Sequence, residues 1–264
     1  MIAEPPPRRR SARRRVVLAA LLAVALLAAG GVAAAVLSGG QDRPGWALTF
    51  SDEFEGDTLD EAKWSTNWGR SNEALTHYLR DRLDVDGGHL RISAVRGGAP
   101  SDRPWSSGLI MSRDSHEQRY GRFEMRAKVP AGQALWPAFW LLPKGAGEPE
   151  IDVMEHIGQE PNRVYMTVHG YGPEQEQRTF DGPDFTAGYH TYAVEWTEGL
   201  LVWKIDGVER FRTTRGVPDM PMYLIANLAV GYPGDPSQWV GAPDDSTPSP
   251  AYMDIDWIRA YAWR

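Results

Sequence analysis

Short β-rich segments, each bounded by glycine, proline, asparagine or aspartate, make up the sequence from residue 50 onward. These segments lie at 88–94, 106–112, 121–129, 135–142, 150–155, 164–169, 190–196, 200–205, 208–213, 222–228 and 253–262. No long amphipathic helix pattern interrupts them, and Asp206-Gly207 is a two-residue hairpin signal. The pattern predicts an all-β fold, an antiparallel β-sandwich of the jelly-roll type. We expect the long connections at 170–188 and 231–250 to wall a groove on its concave face.

Three carboxylates fall within one predicted strand, the Glu-Ile-Asp-Val-Met-Glu sequence at 150–155. Because strand side chains alternate between faces, Glu150 and Asp152 would share one face and Glu155 would point to the other. A β-bulge between Asp152 and Glu155 adds one residue and returns all three to one face. Such close charges cannot all stay ionised, so one carboxyl is expected to keep its proton near neutral pH.

This acid triad has two interpretations. A nucleophilic carboxylate beside a protonated carboxylic acid is what retaining glycoside hydrolysis needs. A solvated acidic strand face is the other interpretation, and for an isolated Glu-x-Asp pair it would be the better one. Here the flanking strands are rich in groups that stack on sugars or bind their hydroxyls, with Trp-Pro-Ala-Phe-Trp at 136–140 and Thr-Val-His-Gly at 167–170. This context favours the chemical interpretation.

The N-terminal segment has the pattern of a membrane-targeting sequence. Six arginines between Arg8 and Arg15 precede an uncharged apolar run at 16–37, which would span roughly 33 Å as a helix. The run predicts a hydrophobic helix, either a cleaved signal peptide or a membrane anchor. The positive-inside rule keeps the basic start in the cytoplasm and places the rest outside. We therefore predict a linker at 38–45 and one extracellular domain at 46–264, secreted or membrane-anchored.

Charge and cysteine content exclude several kinds of partner. The chain has no cysteine, so a disulfide framework and a thiolate metal site are both excluded. The net charge is −7, and beyond residue 42 it is −11, with 22 basic and 33 acidic residues. Such a surface repels nucleic acid and sulfated polysaccharide. Nothing in the sequence indicates more than a monomer.

Ordered motifs along most of the chain carry a resemblance to a known family. They include Phe-Ser-Asp-Glu-Phe at 50–54, Tyr-Gly-Arg-Phe-Glu-Met-Arg-Ala-Lys-Val-Pro at 120–130, and Asp-Trp-Ile-Arg-Ala-Tyr at 256–261. With the acid motif, they make the chain resemble glycoside hydrolase family 16, in its laminarinase-like branch with the bulged Glu-x-Asp-x-x-Glu motif. The resemblance implies a concanavalin-like jelly roll with a concave substrate groove. It also implies a retaining, endo-acting enzyme that cleaves β-1,3 or mixed β-1,3/1,4 glucans by double displacement.

The same resemblance implies roles for the three acids. Glu150 matches the nucleophile, and Glu155 matches the acid/base that protonates the leaving oxygen and later activates water. Asp152 matches the carboxyl that hydrogen-bonds a neighbouring glutamate and holds its protonation state.

Substrate-binding residues are implied in the same way. Trp136 and Trp140, four apart on one strand, match residues that stack on sugar rings at the glycone side. His169 matches a histidine that lines the site beside the acid/base. Asn72 and Arg113 match polar side chains that bind sugar hydroxyls. Each also has a purely structural interpretation, since one tryptophan of such a pair is often core and a lone histidine after a strand is often structural.

No cofactor is required for this chemistry, but a structural calcium ion is one alternative left open. Many family members hold Ca²⁺ on the convex side, and Glu53, the backbone of Gly88 and Asp256 match that site. Acidic residues at the ends of a sandwich are also common without a metal, and a hard-cation site needs six or more oxygens.

Substrate and activity have further alternatives. The stretches at 143–149 and 231–234 depart from the usual family pattern, and groove loops set linkage specificity. A galactan hydrolase and a transglycosylase share the fold and the acids. A non-catalytic glucan-binding module would keep the tryptophans and lose the acids, so the presence of all three favours an enzyme.

Overall fold

The computed structural model describes the chain in several stretches, which form two units. The described residues are 42–43, 45–68, 75–98, 103–145, 147–172, 174–231 and 239–264. The first unit, Met1–Gly45, contains one described strand, β1 (Asp42–Arg43). No helix among the described residues is long and apolar enough to span a membrane. The predicted hydrophobic helix at 16–37 lies outside the described residues, as does most of the predicted linker, so both stay predictions.

The second unit, Trp46–Arg264, is built from strands and one short 3₁₀ turn, Arg80–Arg82, as far as its described residues go. The strands are β2 (Trp46–Asp52), β3 (Thr76–Tyr78), β4 (Leu83–Asp86), β5 (His89–Arg96), β6 (Trp105–Ser107), β7 (Leu109–Met111), β8 (Gly121–Lys128), β9 (Leu135–Leu142), β10 (Glu150–Glu155), β11 (Arg163–His169), β12 (Gln175–Asp181), β13 (His190–Thr197), β14 (Leu200–Ile205), β15 (Val208–Thr213), β16 (Tyr223–Val230) and β17 (Ala251–Trp263). The predicted all-β fold is confirmed.

The strands form two sheets. The larger sheet has the order β15-β14-β13-β8-β17-β5-β6-β3, with β2 beside β17 and β4 beside β5. The smaller sheet has the order β12-β11-β10-β9-β16-β7. Neighbouring strands are antiparallel except β3 and β6, which are parallel. The long strand β17 holds the larger sheet together, since it pairs with β8 on one side and with β5 and β2 on the other.

A single large hydrophobic core lies between the sheets. Phe139 and Ile151 of the smaller sheet and Phe123 and Ile255 of the larger one belong to it, and all four are fully buried. Because strand side chains alternate, the neighbours of Phe139 and Ile151 point to the opposite, outer face of the smaller sheet. Trp140, for example, packs in a separate apolar cluster on that face. The outer face of the smaller sheet is therefore the surface on which the acid strand presents its carboxylates.

Every predicted strand overlaps an observed one. Two predictions were wrong in detail: one predicted strand is divided in two, and one predicted loop contains a strand. The stretch 106–112 is two strands, interrupted at Gly108, where an added Cβ would lie 2.4 Å from Leu83 Cδ2. The predicted loop at 170–188 contains β12, which pairs with β11 along its whole length. Its sequence, Gln-Glu-Gln-Arg-Thr-Phe-Asp, lacks the apolar alternation by which strands are recognised, because an edge strand can be polar on both faces.

We predict that Phe139→Ala lowers the free energy of unfolding by about 3–5 kcal/mol, because it removes a fully buried ring and leaves a cavity between the sheets. Urea unfolding followed by tryptophan fluorescence measures the loss. The control is Val208→Ala, whose parent side chain is 52% exposed; this change should stay within about 0.5 kcal/mol of the parent. Equal losses in the two variants would contradict the position of the core.

Candidate active site

The acid strand β10 contains the predicted bulge. Against β11, Asp152 pairs with Thr167 and Glu155 pairs with Tyr165, so three steps along β10 match two along β11. Against β9, the register shifts between Asp152 and Met154. One extra residue is therefore accommodated between the second and third acids. Met154 stays in the core while Glu155 joins the other two carboxylates on the outer face.

The bulge is tied to the opposite sheet by a buried hydrogen bond. Trp203 of β14 donates its Nε1–H to the backbone carbonyl of Asp152 at 2.8 Å. The Trp203 ring is fully buried and stacks on Phe211, with centroids 4.9 Å apart. A bulge leaves part of the strand ladder unpaired, and this donor satisfies a carbonyl at that point.

Glu150, Asp152 and His169 form one electrostatic group. His169 Nε2 lies 3.2 Å from Asp152 Oδ2 and 4.0 Å from Glu150 Oε1. Burial raises the pKa of both carboxyls. The charge of Asp152 raises the pKa of Glu150 further, and the charge of Glu155 raises the pKa of Asp152 further. The contact with Asp152 raises the pKa of His169, against the opposing effect of burial. The two carboxyls therefore retain a proton between them at neutral pH, and a protonated His169 would balance the charge that remains.

Glu155 is separated from this group by the bulge and has its own partner. Trp136 donates its indole N–H to Glu155 Oε1 at 3.0 Å. Burial, followed by the nearby charge of Glu150, raises the pKa of Glu155 to about 8, although the hydrogen bond from Trp136 acts in the opposite direction. Glu155 is thus mostly protonated at neutral pH and can donate a proton.

Aromatic residues flank the acids on the β9 side. Trp140 pairs with Asp152 in register and donates its indole N–H to Asn227 Oδ1 at 2.8 Å. Asn227 in turn donates to the Tyr78 hydroxyl at 3.1 Å. Trp68 contacts Trp140 edge-on, with centroids 5.5 Å apart. The ring of Trp140 is therefore fixed by a hydrogen bond at one edge and by an aromatic neighbour.

A second aromatic group lies beside Glu155. The ring of Trp239 makes edge contacts with Trp136 and with Tyr165, at centroid distances of 5.4 and 5.2 Å. The Tyr165 hydroxyl donates to Glu160 Oε2 at 2.6 Å. This group packs against Trp136, so the donor that holds Glu155 is itself held in place.

The remaining predicted substrate residues have mixed outcomes. Asn72 lies outside the described residues. Arg113 is exposed in the turn after β7, and β9 and β16 separate that strand from β10, so the structure does not bring it to the acids. Trp136 and Trp140 do lie beside the acids. His169 also lies there, but the prediction that it lies beside Glu155 was wrong, because its register on β11 places it opposite Glu150 and against Asp152. The polar network around Tyr78 and the ring of Trp239 were not predicted, because no local sequence signal links them to the acid strand.

The predicted calcium positions are engaged in other contacts. Both carboxylate oxygens of Glu53 accept hydrogen bonds from Arg259, at 2.9 and 2.7 Å. Asp256 contacts Arg126, and Gly88 lies in the turn between β4 and β5. With both acids occupied by guanidinium groups, the three positions as arranged do not fit a calcium site, and the ion stays an untested prediction.

One group of acidic and histidine side chains does have donor atoms close enough to share a metal ion. Within the described residues, this group consists of Glu150, Asp152 and His169, whose donor atoms lie within 4.8 Å of one another. These are the groups of the acid site itself. Their arrangement is explained by proton sharing without a metal.

Three carboxylates on a bulged strand, with one protonated acid and fixed indole rings beside them, define a glycosidase site on a β-sandwich. Comparison with known proteins agrees: residues 63–259 match the family described as glycosyl hydrolases family 16. The chain belongs to that family.

Individual relatives are similar over most of this chain. A glucan endo-1,3-beta-glucosidase A1 from Niallia circulans is 35% identical over 82% of this chain, which spans only 38% of that protein. A beta-glucanase from Rhodothermus marinus is 35% identical over 83% of this chain and 86% of its own length. The catalytic domain of a laminarinase from Thermotoga petrophila superposes with a TM-score of 0.74 at 30% identity, covering 83% of this chain and 98% of that domain.

We predict that Trp203→Phe lowers the free energy of unfolding by about 1–3 kcal/mol, because the ring stack is kept while the buried carbonyl of Asp152 loses its donor. Glycosidase activity should fall as well, since the bulge that aligns the acids loses its anchor. Urea unfolding and initial rates measure the two effects. Trp263→Phe, at a position that is 68% exposed, is the matched control. Unchanged stability and rate in Trp203→Phe would show that the bulge does not depend on this bond.

Proposed function

We propose that this chain is a retaining, endo-acting β-glucanase that cleaves β-1,3 linkages, or mixed β-1,3/1,4 linkages, by double displacement. The observation that carries the proposal is the acid triad on its bulge, where a mostly protonated Glu155 faces the same side as Glu150. The names of the relatives, glucan endo-1,3-beta-glucosidase, beta-glucanase and laminarinase, support β-glucan as the substrate.

In the first step, Glu150 acts as the nucleophile. Its carboxylate attacks the anomeric carbon while Glu155 gives its proton to the glycosidic oxygen, so that the C–O bond breaks and a covalent glycosyl-enzyme forms. Glu150 must carry the negative charge of the pair at the moment of attack, so the proton that the two carboxyls share must then be held by Asp152.

In the second step, Glu155 acts as a base. The charge of Glu150 is one reason that the pKa of Glu155 is raised, and that charge disappears when Glu150 is esterified. The pKa of Glu155 therefore falls in the intermediate, and its carboxylate takes a proton from water. The water oxygen attacks the anomeric carbon, Glu150 leaves, and the original configuration is restored.

Substrate recognition is attributed to the indole rings of Trp136 and Trp140. Each ring is half-buried and has its N–H committed to a protein acceptor, so these residues would recognise a sugar by stacking and not by donating the indole N–H. The acidic surface disfavours sulfated glycans. Transfer of the glycosyl group to a sugar instead of water would use the same two steps.

We also propose that the domain is exported across a membrane, because the segment at 16–37 has the pattern of a signal peptide or membrane anchor.

The full-length chain should release reducing sugar from laminarin and mixed-linkage β-glucan, and much less from agarose and carrageenan. Glu150→Gln should reduce this activity by several orders of magnitude, because an amide cannot form the glycosyl ester. Glu198→Gln, which changes an exposed acid in the turn after β13, should leave it unchanged.

The same activity measurements distinguish the β-glucanase from a glucan-binding module and from a galactan hydrolase. Activity that survives in Glu150→Gln would remove Glu150 as the nucleophile. A parent protein that binds laminarin without cutting any polysaccharide would replace the enzyme with a glucan-binding module. Preferential cutting of agarose would move the substrate to galactans.

We predict that kcat/KM falls as the pH rises through about 8, because Glu155 must be protonated in the free enzyme.

The free energy of unfolding should also depend on the protonation of Glu155. Its folded pKa lies above the ordinary value of 4.5, so its contribution is fully present below 4.5 and is lost as the pH rises through about 8. Glu155→Gln, which cannot ionise, should therefore be more stable relative to the parent at pH 9 than at pH 5. Urea unfolding at both pH values measures this, and an unchanged difference would contradict the raised pKa.

A further inference from the structure

Aromatic rings from three parts of the chain surround Glu155. Trp136 of β9 donates its indole N–H to Glu155 Oε1 at 3.0 Å, and Tyr165 of β11 lies opposite Glu155 in the strand register. Trp239 lies between these two rings, with its centroid 5.4 Å from that of Trp136 and 5.2 Å from that of Tyr165. Both contacts are edge-on. Trp239 therefore closes a ring of contacts that begins and ends at Glu155.

The position of Trp239 is fixed from outside the three strands of the acid site. It belongs to a small apolar cluster, separate from the main core, whose other members are Trp136, Ile157, Tyr165 and Val240. Gln159 donates from Nε2 to the carbonyl of Val240 at 2.8 Å, and its Oε1 accepts from the backbone N–H of Ala134 at 2.9 Å. The backbone beside Trp239 is thus tied to the segment that leads into β9.

The indole N–H of Trp136 affects Glu155 in two ways. A hydrogen bond to the ionised form lowers the pKa of a carboxyl, and here it opposes the rise caused by burial and by the charge of Glu150. The oxygen that accepts an N–H is also better left unprotonated, so the proton of Glu155 is directed to Oε2. The orientation of one indole ring therefore affects how firmly Glu155 holds its proton and which oxygen carries it.

We propose that Trp239 is a positioning residue that acts on Glu155 through Trp136, by keeping the N–H of Trp136 aimed at the carboxyl. This inference rests on the proposed role of Glu155 as the acid/base. Trp136 is half-buried, and such a side chain has more than one staggered rotamer open to it. The edge contact with Trp239 favours the rotamer that reaches Glu155. This role requires no contact between Trp239 and the substrate.

Several titratable groups lie on the elements packed around Glu155, and a change at Trp239 alters none of them. They are Glu150 and Asp152 on β10, His156 and Glu160 in the following turn, and Arg163, Tyr165 and His169 on β11. Strand β9 contributes none. Tyr165 contacts Trp239, but burial, followed by its hydrogen bond to Glu160, raises the pKa of Tyr165, so it stays neutral near pH 8. A pH effect of a change at Trp239 is therefore attributed to Glu155.

The first measurement is the pH profile of kcat/KM on laminarin for the full-length parent, Trp136→Phe, Trp239→Ala and the double variant. Trp136→Phe removes the N–H, so the alkaline limb should move upward from about 8 by about one pH unit. Trp239→Ala should move it in the same direction. The double variant should move it no further than Trp136→Phe alone, because the bond through which Trp239 acts is already absent. Trp263→Ala, at a position that is 68% exposed, is the matched control and should leave the profile unchanged.

A second measurement needs no activity. In nitrogen–proton correlation NMR spectra of the ligand-free parent, the indole signal of Trp136 is assigned by its loss in Trp136→Phe. This signal should titrate with a midpoint near 8 as Glu155 ionises, and it should stay constant in Glu155→Gln. In Trp239→Ala the midpoint should rise and the pH-dependent change should become smaller, because the N–H is no longer held against the carboxyl.

An unchanged alkaline limb and an unchanged Trp136 signal in Trp239→Ala would overturn the proposal, even if kcat/KM fell equally at every pH, because Trp239 would then bind substrate or only support the fold. A further shift in the double variant would overturn it as well. If Trp239→Ala does not fold, Trp239→Leu, which keeps apolar volume and loses the ring edge, replaces it with the same expected directions. Failure of the proposed function would look different, since the parent would cut no polysaccharide while the Trp136 signal still reported on Glu155.

Discussion

A single extra residue in β10 is the constraint on which the acid site depends. In a regular strand, Glu155 would point into the core and Met154 would face outward, which would bury a carboxylate among apolar side chains at a cost of several kcal/mol. The bulge exchanges these two positions. It persists because both neighbouring strands accept the shifted register and because Trp203, from the other sheet, binds the carbonyl of Asp152. The sandwich thus contributes to the site through its second layer as well as through the sheet that carries the acids.

The electrostatics of the site follow from partial burial of three acids at short range. Each carboxyl has a raised pKa, and burial is the largest cause in every case. The acids have different polar partners: His169 contacts the Glu150–Asp152 pair, and Trp136 donates a hydrogen bond to Glu155. One side of the bulge can therefore carry a negative charge while the other keeps a proton. That division is what two-step displacement at an anomeric carbon requires.

Much of this architecture could be predicted from the sequence. The alternation of apolar residues located the strands that face the core, and the spacing of three acids predicted the bulge itself. The edge strand β12 was missed because its polar residues carry no apolar period. The partners of the site were missed for another reason. Trp203 is 51 positions from Asp152, and Tyr78 is 149 positions from Asn227, so these contacts depend on strand order, which local patterns do not encode.

The chain of contacts from Tyr78 through Asn227 to Trp140 has a consequence for the thermodynamics of sugar binding. A free indole on an open surface samples several rotamers, and a ligand that stacks on it must immobilise the ring, at about 0.5–1.5 kcal/mol per side chain. Here the hydrogen bond from Trp140 to Asn227 and the edge contact with Trp68 impose that order during folding. The sugar stacking that we propose for Trp140 should therefore carry a smaller entropic penalty than stacking on a mobile surface aromatic.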